Sequence, residues 1–180
     1  MNYLKHPSIK NISYLLICLL AVSLLAFAAA ANWKVKGNYE VKFENGAIHG
    51  TFTGLKTDIE FDKAHPEQAK ISATIDASSL STGFFIKTSH AKDAIDAEKY
   101  PTISFTSTSV SKSGNAFQAA GKLTLKGVTK PVTIHFTFDD KGNEGTFKGD
   151  FKIIPKDFNI TRNGTPDNLT ITLTVPVSKS

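Results

Sequence analysis

From Asn32 onward the chain alternates apolar and polar residues, the period-two pattern that sends every second side chain to one face of a sheet. Tyr39, Val41 and Phe43 alternate with Glu40, Lys42 and Glu44. Asn45-Gly46 then offers the positive φ angles of a tight hairpin, and residues 48–53 return. Further strands are predicted over 58–62, 69–77, 102–110, 116–125, 128–138, 146–154 and 168–177. Val132, Ile134, Phe136 and Phe138 make one uninterrupted apolar face, and Leu169, Ile171, Leu173 and Val175 make another. Loops or turns separate these runs at 63–68, 113–115 and 140–145.

The alternation breaks once, between Ser78 and Pro101. Within 89–100, Ala91, Ala94, Ile95 and Ala97 have helical spacing, Ser89 stands where a cap is needed, and Pro101 stops the run. Some eight or nine strands joined by short turns, with one short helical excursion, predict an all-β fold, a barrel or sandwich of mostly antiparallel neighbours, of which an eight-stranded barrel is favoured. Closure removes the sheet edges that would otherwise pair with other chains. Eight strands enclose room for packed side chains or for one small ligand.

Residues 1–31 read as an export signal to be cleaved, leaving 32–180 as one barrel domain. Lys5, His6 and Lys10 precede an uncharged apolar run from Ile12 to Phe27, and Ala28 to Ala31 offer small residues to a peptidase. The run is near the roughly 20 residues that span a bilayer, but its Ala-rich end and lack of a charged stop favour cleavage over a retained anchor. Leu15-Leu16-Ile17-Cys18 is a poor lipoprotein signal, because Ile17 is too bulky before the cut. Loss of Cys18 leaves no cysteine and therefore no disulfide, so stability must come from burial. Cleavage also removes Lys5 and Lys10 and no acid, so the net charge falls from +5 to +3. That mild, scattered charge excludes nucleic acid as the expected partner.

No catalytic arrangement emerges. Ser89-His90 are neighbours in sequence, which does not set a nucleophile against its base, and no nucleophile elbow or phosphate-cradling glycine loop occurs. His49 and His135 fall on strands and His65 in a loop, with no spacing suited to a metal. A binding protein that needs no cofactor is the expectation.

The segments that break the alternation carry the most specific signal. Ser78-Ser79-Leu80-Ser81-Thr82-Gly83, Ser89-His90, the stretch from Asp96 through Tyr100-Pro101 to Phe105, and Gly121 through Lys126-Gly127 to Val132 resemble the YceI-like family of exported polyisoprenoid-binding proteins. The resemblance runs from about Trp33 to Val177. It implies a lipocalin-like barrel in the bacterial periplasm, or secreted, that holds an isoprenoid chain inside. Two departures stand out: Gly37-Asn38-Tyr39 replaces a common His-Ser pair, and residues 153–158 lack an arginine many members carry there. Lys152 or Lys156 could supply that charge, though without the guanidinium fork.

The resemblance turns the inward-facing aromatics into candidate lining for a hydrocarbon chain: Phe43, Phe52, Phe61, Phe105, Phe117, Phe136, Phe138, Phe147 and Phe151, with Phe84, Phe85 and Ile95 from the excursion. From alternation alone a packed core is the favoured reading of these rings. Lys87, His90, Lys92 and Asp93 are candidates for a polar mouth meeting a phosphate or quinone head, while His90 alone also suits a loop-fixing role. The expected activity is binding, storage or transport of an isoprenoid quinone or prenyl phosphate. The alternatives are a stress-induced structural protein with a filled barrel, or an accessory to a membrane quinone redox protein with transient membrane contact. Pairing into a homodimer stays open.

Overall fold

The alternating runs form ten strands in the computed structural model, which describes residues 30–46 and 48–180. The expected export signal, with Cys18, lies outside the described residues apart from Ala30 and Ala31. In chain order the elements are β1 (Ala31–Val35), β2 (Glu40–Asn45), β3 (Ile48–Phe52), β4 (Leu55–Phe61), β5 (Lys70–Asp76), α1 (Phe85–Ile95), β6 (Thr102–Ser113), β7 (Ala116–Leu125), β8 (Val128–Asp140), β9 (Glu144–Ile153) and β10 (Leu169–Lys179). All pairings are antiparallel. Eight strands, β1 and β4 through β10, close into a ring when β1 meets β10, with the β2–β3 hairpin added beside β10. The all-β, eight-stranded barrel with one helix is therefore the fold.

The extra two strands are staves of that ring broken in the middle. β10 pairs with β1 through Val177 to Lys179 and with β2 through Thr170 to Thr174. Between them stands Pro176, whose carbonyl accepts from Lys36 N at 2.8 Å but which has no amide proton to return. The ladder breaks there, and Gly37 (φ 71°) takes the bend. The neighbouring stave breaks at Thr53-Gly54, whose amides are taken by Ser79 Oγ at 3.2 and 3.1 Å. Beyond that break β3 leaves the barrel wall and bridges Ser81 instead, Thr51 to Ser81. The wall opens on this side, and the excursion occupies the gap.

The excursion differs from its expected form. The helix starts at Phe85 rather than Ser89, and no side chain caps its first turn. Instead Thr82 and Thr88 hold the approach, Thr82 N donating to Thr88 Oγ1 at 3.0 Å. The helix ends before Asp96, which is left-handed (φ 55°). Asp96 N donates to Asp93 O and Ala97 N to Lys92 O, the paired bonds of a Schellman stop. Pro101 is thus not what ends it. The first hairpin also shifts: Asn45 stays in the strand opposite Ile48, and Gly46 (φ 56°) turns the chain. β1 is too short for alternation to announce.

Candidate functional site

Where inward-facing aromatics from neighbouring strands fall at one level, the barrel is filled. Phe61, only 1% exposed, meets Phe117, Phe136, Phe138 and Phe147 edge-on at centroid distances of 5.1 to 5.6 Å. Phe138 stacks on Phe147 at 4.4 Å, and Trp33 closes the layer against Phe138 at 4.9 Å. Trp33 Nε1 donates to Phe61 O at 3.0 Å, so the buried indole leaves no polar atom unmet. Phe138 lies flat over Gly145, where a Cβ would sit 2.5 Å from the ring. This layer is the floor.

Above the floor the inward positions carry aliphatic residues and some very small ones. Ala73, Ala119 and Gly149 are too small to fill a ring of eight strands, and a cavity of about 600 Å³ remains. Phe105, Phe136 and Phe147 form its base, Phe43, Phe52 and Phe151 stand higher in its walls, and leucine, isoleucine and valine supply most of the rest. Thr57 is a polar exception: it faces inward, and its Oγ1 is buried without a hydrogen-bond partner.

Helix α1 lies across the opposite end. Phe84, Lys87, Ala91, Ala94 and Ile95, spaced three or four apart, look into the cavity together with His90. The β9–β10 loop faces them and contributes Ile160 and 162–166 to the lining. Arg162, the chain's single arginine, bridges loop and helix. Its Nη1 donates to His90 O at 3.2 Å and lies 3.6 Å from Asp93 Oδ2. Lys87, His90 and Arg162 thus ring the mouth with donors, while His49 reaches it from β3.

Lys126 holds this arrangement in place. It sits with Gly127 in the two-residue turn between β7 and β8, both at positive φ (51° and 73°). Its Nζ donates to Ala94 O at 2.9 Å and Asn159 O at 3.0 Å, tying the C-terminal turn of α1 to the β9–β10 loop. Asp96, Lys126 and Asn159 are the non-glycine residues with positive φ among the described residues, and all three stand at this rim. Such strain collects where tertiary contacts overdetermine the backbone.

Ten of the residues expected from sequence to line the interior or its mouth do so: Phe43, Phe52, Phe84, Phe105, Phe136, Phe147, Phe151, Ile95, Lys87 and His90. Six lie outside the lining. Phe61, Phe117 and Phe138 belong to the packed floor, because facing inward does not say at what depth a ring sits. Phe85 points to solvent, since the earlier helix start turns it away from the cavity. Lys92 and Asp93 fall on the outer side of α1, off the face that Ala91, Ala94 and Ile95 turn inward, and Asp93 pairs with Arg162. Arg162, rather than Lys152 or Lys156, brings charge to the rim. Its place in an irregular loop gave alternation nothing to read. Among the described residues no three His, Cys, Asp or Glu side chains group as metal ligands.

The YceI-like domain family matches the chain over residues 28–179. Protein YceI of Salmonella arizonae is 32% identical over 166 residues, covering 83% of this chain and 87% of its own. The crystal structure of Burkholderia cenocepacia BcnA superposes with a TM-score of 0.70 at 28% identity, over 77% of this chain and 95% of that one. A polyisoprenoid-binding domain from Saccharophagus degradans shares the fold, with a TM-score of 0.62 at 11% identity over 84% of this chain and 99% of that one.

Proposed function

The chain belongs to the YceI-like domain family, and from that premise we propose that it is an exported carrier or store for a polyisoprenoid lipid. The observation that supports this most is the cavity: about 600 Å³, walled by hydrocarbon, closed by aromatic rings at one end and rimmed by donors at the other. Its volume falls in the roughly 300–1,000 Å³ range of small-molecule pockets. Each methylene moved from water into it contributes about 0.8 kcal/mol. An unsaturated chain enters tail first, because the floor offers only rings and the wall a single unpartnered hydroxyl. The head stays at the mouth, where Lys87, His90 and Arg162 suit acceptor oxygens of a prenyl phosphate or quinone. The protein then works by keeping the chain from water, without bond making. A filled, purely structural barrel expects no such cavity, so the carrier is the better reading.

Protein recovered from its native host and examined by native mass spectrometry should carry a lipid of isoprenoid mass. Consistent recovery of protein without lipid would overturn the proposal.

A further inference from the structure

Large apolar side chains exposed to solvent are confined to one end of this barrel. Among the described residues they are Ile48, Phe84, Phe85, Ile86 and Ile154, with Phe84, Phe85 and Ile86 exposed by 62, 89 and 68%. Ile48 begins β3 beside the first hairpin, Ile154 follows β9, and the other three open α1; every one of these points borders the mouth. Turns at the floor end carry none. Large apolar side chains gathered at one end of an otherwise polar surface mark an interaction site.

Two features identify what covers it. The patch is continuous with the cavity, since Ile48 and Phe84 are exposed outside and line the space within. It is also edged by cations: Lys87 lies 5.2 Å from the Phe84 ring centre, and neither Lys87 nor Lys92 has an ion-pair partner among the described residues. At this end Asp93 pairs with Arg162, Asp167 pairs with Lys156, and Asp76 accepts from Ser78 N within the field of Lys92. Exposed apolar side chains at the start of the helix, with lysines one and two turns along it, match the acyl and phosphate layers of a bilayer surface. No helix among the described residues is long and apolar enough to cross a membrane, so the contact is peripheral.

We infer that the mouth docks on a phospholipid bilayer bearing anionic head groups, with Phe85 and Ile86 inserted among the acyl chains. The cavity then opens onto hydrocarbon, and a lipid chain passes between bilayer and barrel without crossing water. The purpose of the docking rests on the carrier reading; its geometry does not.

Tryptophan fluorescence tests this in the full chain. Trp33, the single tryptophan, is buried in the floor at the far end. Phe85→Trp places a second indole on the patch. With vesicles of phosphatidylethanolamine and phosphatidylglycerol carrying brominated acyl chains, its emission should fall by roughly half or more, while the unsubstituted protein stays bright. An unquenched Phe85→Trp protein overturns the inference, however the chain is otherwise attached. So does a dimer that the Phe85→Ser, Ile86→Ser double variant converts to monomer, because a second copy then covers the patch.

The double variant also separates docking from carriage. It should take up an isoprenoid quinone from detergent solution as the wild type does, yet collect it from vesicles roughly tenfold more slowly. Quenching without any uptake from detergent would leave docking intact and sink the carrier reading. Equal uptake from vesicles by both proteins would overturn the docking.

Discussion

At the floor, Phe61, Phe117, Phe136, Phe138 and Phe147 meet ring against ring, and Trp33 seals them from below. At the mouth, Phe43, Phe52 and Phe151 stand in the wall around open volume, with Ala73 and Gly149 among their neighbours. Both ends use inward positions of the sheet, and β9 serves both, with Phe147 at the floor and Phe151 above it. The difference lies in the summed side-chain volume at each level. A layer of rings fills an eight-stranded ring to the density of a protein interior, whereas alanine, glycine and branched aliphatics cannot. The full layer provides stability and the sparse one provides room.

Substitutions at the two depths test that division. Phe61→Ala should cost about 3–5 kcal/mol in chemical denaturation, since a fully enclosed ring leaves a void its neighbours cannot close. Leu173→Ala, on the cavity wall, already faces open volume, and its cost should sit near the lower end of the range for such changes, about 2 kcal/mol. Equal losses at the two sites would mean that the cavity collapses and that the two ends are alike.

The rim depends on polar ties rather than packing. Lys126→Ala removes two charge-assisted bonds, to Ala94 and Asn159. A loss of about 1–2 kcal/mol is expected, discounted for partial exposure. Hydrogen exchange should quicken in α1 and the β9–β10 loop while the floor strands stay protected. Uniform exchange across the barrel would show that the rim is not a separate unit.

Thr57→Val should move stability the other way. It replaces a buried hydroxyl lacking a partner with a methyl of similar shape, and the gain in the empty protein should be about 1 kcal/mol. A fall in the melting temperature would show that the hydroxyl has a partner in solution.

The smallest effect is on acid stability. Hydrogen bonds from Ser78, by side chain and then by backbone, hold the Asp76 carboxyl below its ordinary value, with Lys92 and Lys56 adding to this. Lys63 does the same for Asp140, and Lys36 for Glu144, at the floor turns. A carboxylate with a lowered folded-state pKa stabilises the fold above its unfolded value and loses that contribution as pH falls through the folded one. Melting temperature should therefore decline below about pH 4. Asp76→Asn, still able to cap its turn but without the charge, should lower neutral stability slightly and make the decline shallower. An unaltered decline would assign acid sensitivity to the floor alone.

Much of the barrel was written in the alternation. The apolar faces of β8 and β10 fixed which residues turn inward, because a strand's period admits only two choices. The single break in the pattern located the helix, though not its start, since Thr82 and Thr88 replaced the expected Ser89 cap. Closure, too, followed from the number of strands and the need to hide their edges.

Depth along the barrel axis was decided only in three dimensions. Alternation assigns Phe61 and Phe52 to the same interior, yet one is packed among four rings and the other faces a cavity. Level depends on strand register and stagger, which arise from pairings between segments far apart in sequence, such as β1 with β10. Arg162 came to the rim in the same way, brought there by a loop whose course is set by Lys126 and the helix it faces. Local sequence determined which face each side chain takes; long-range pairing determined which end is solid and which is open.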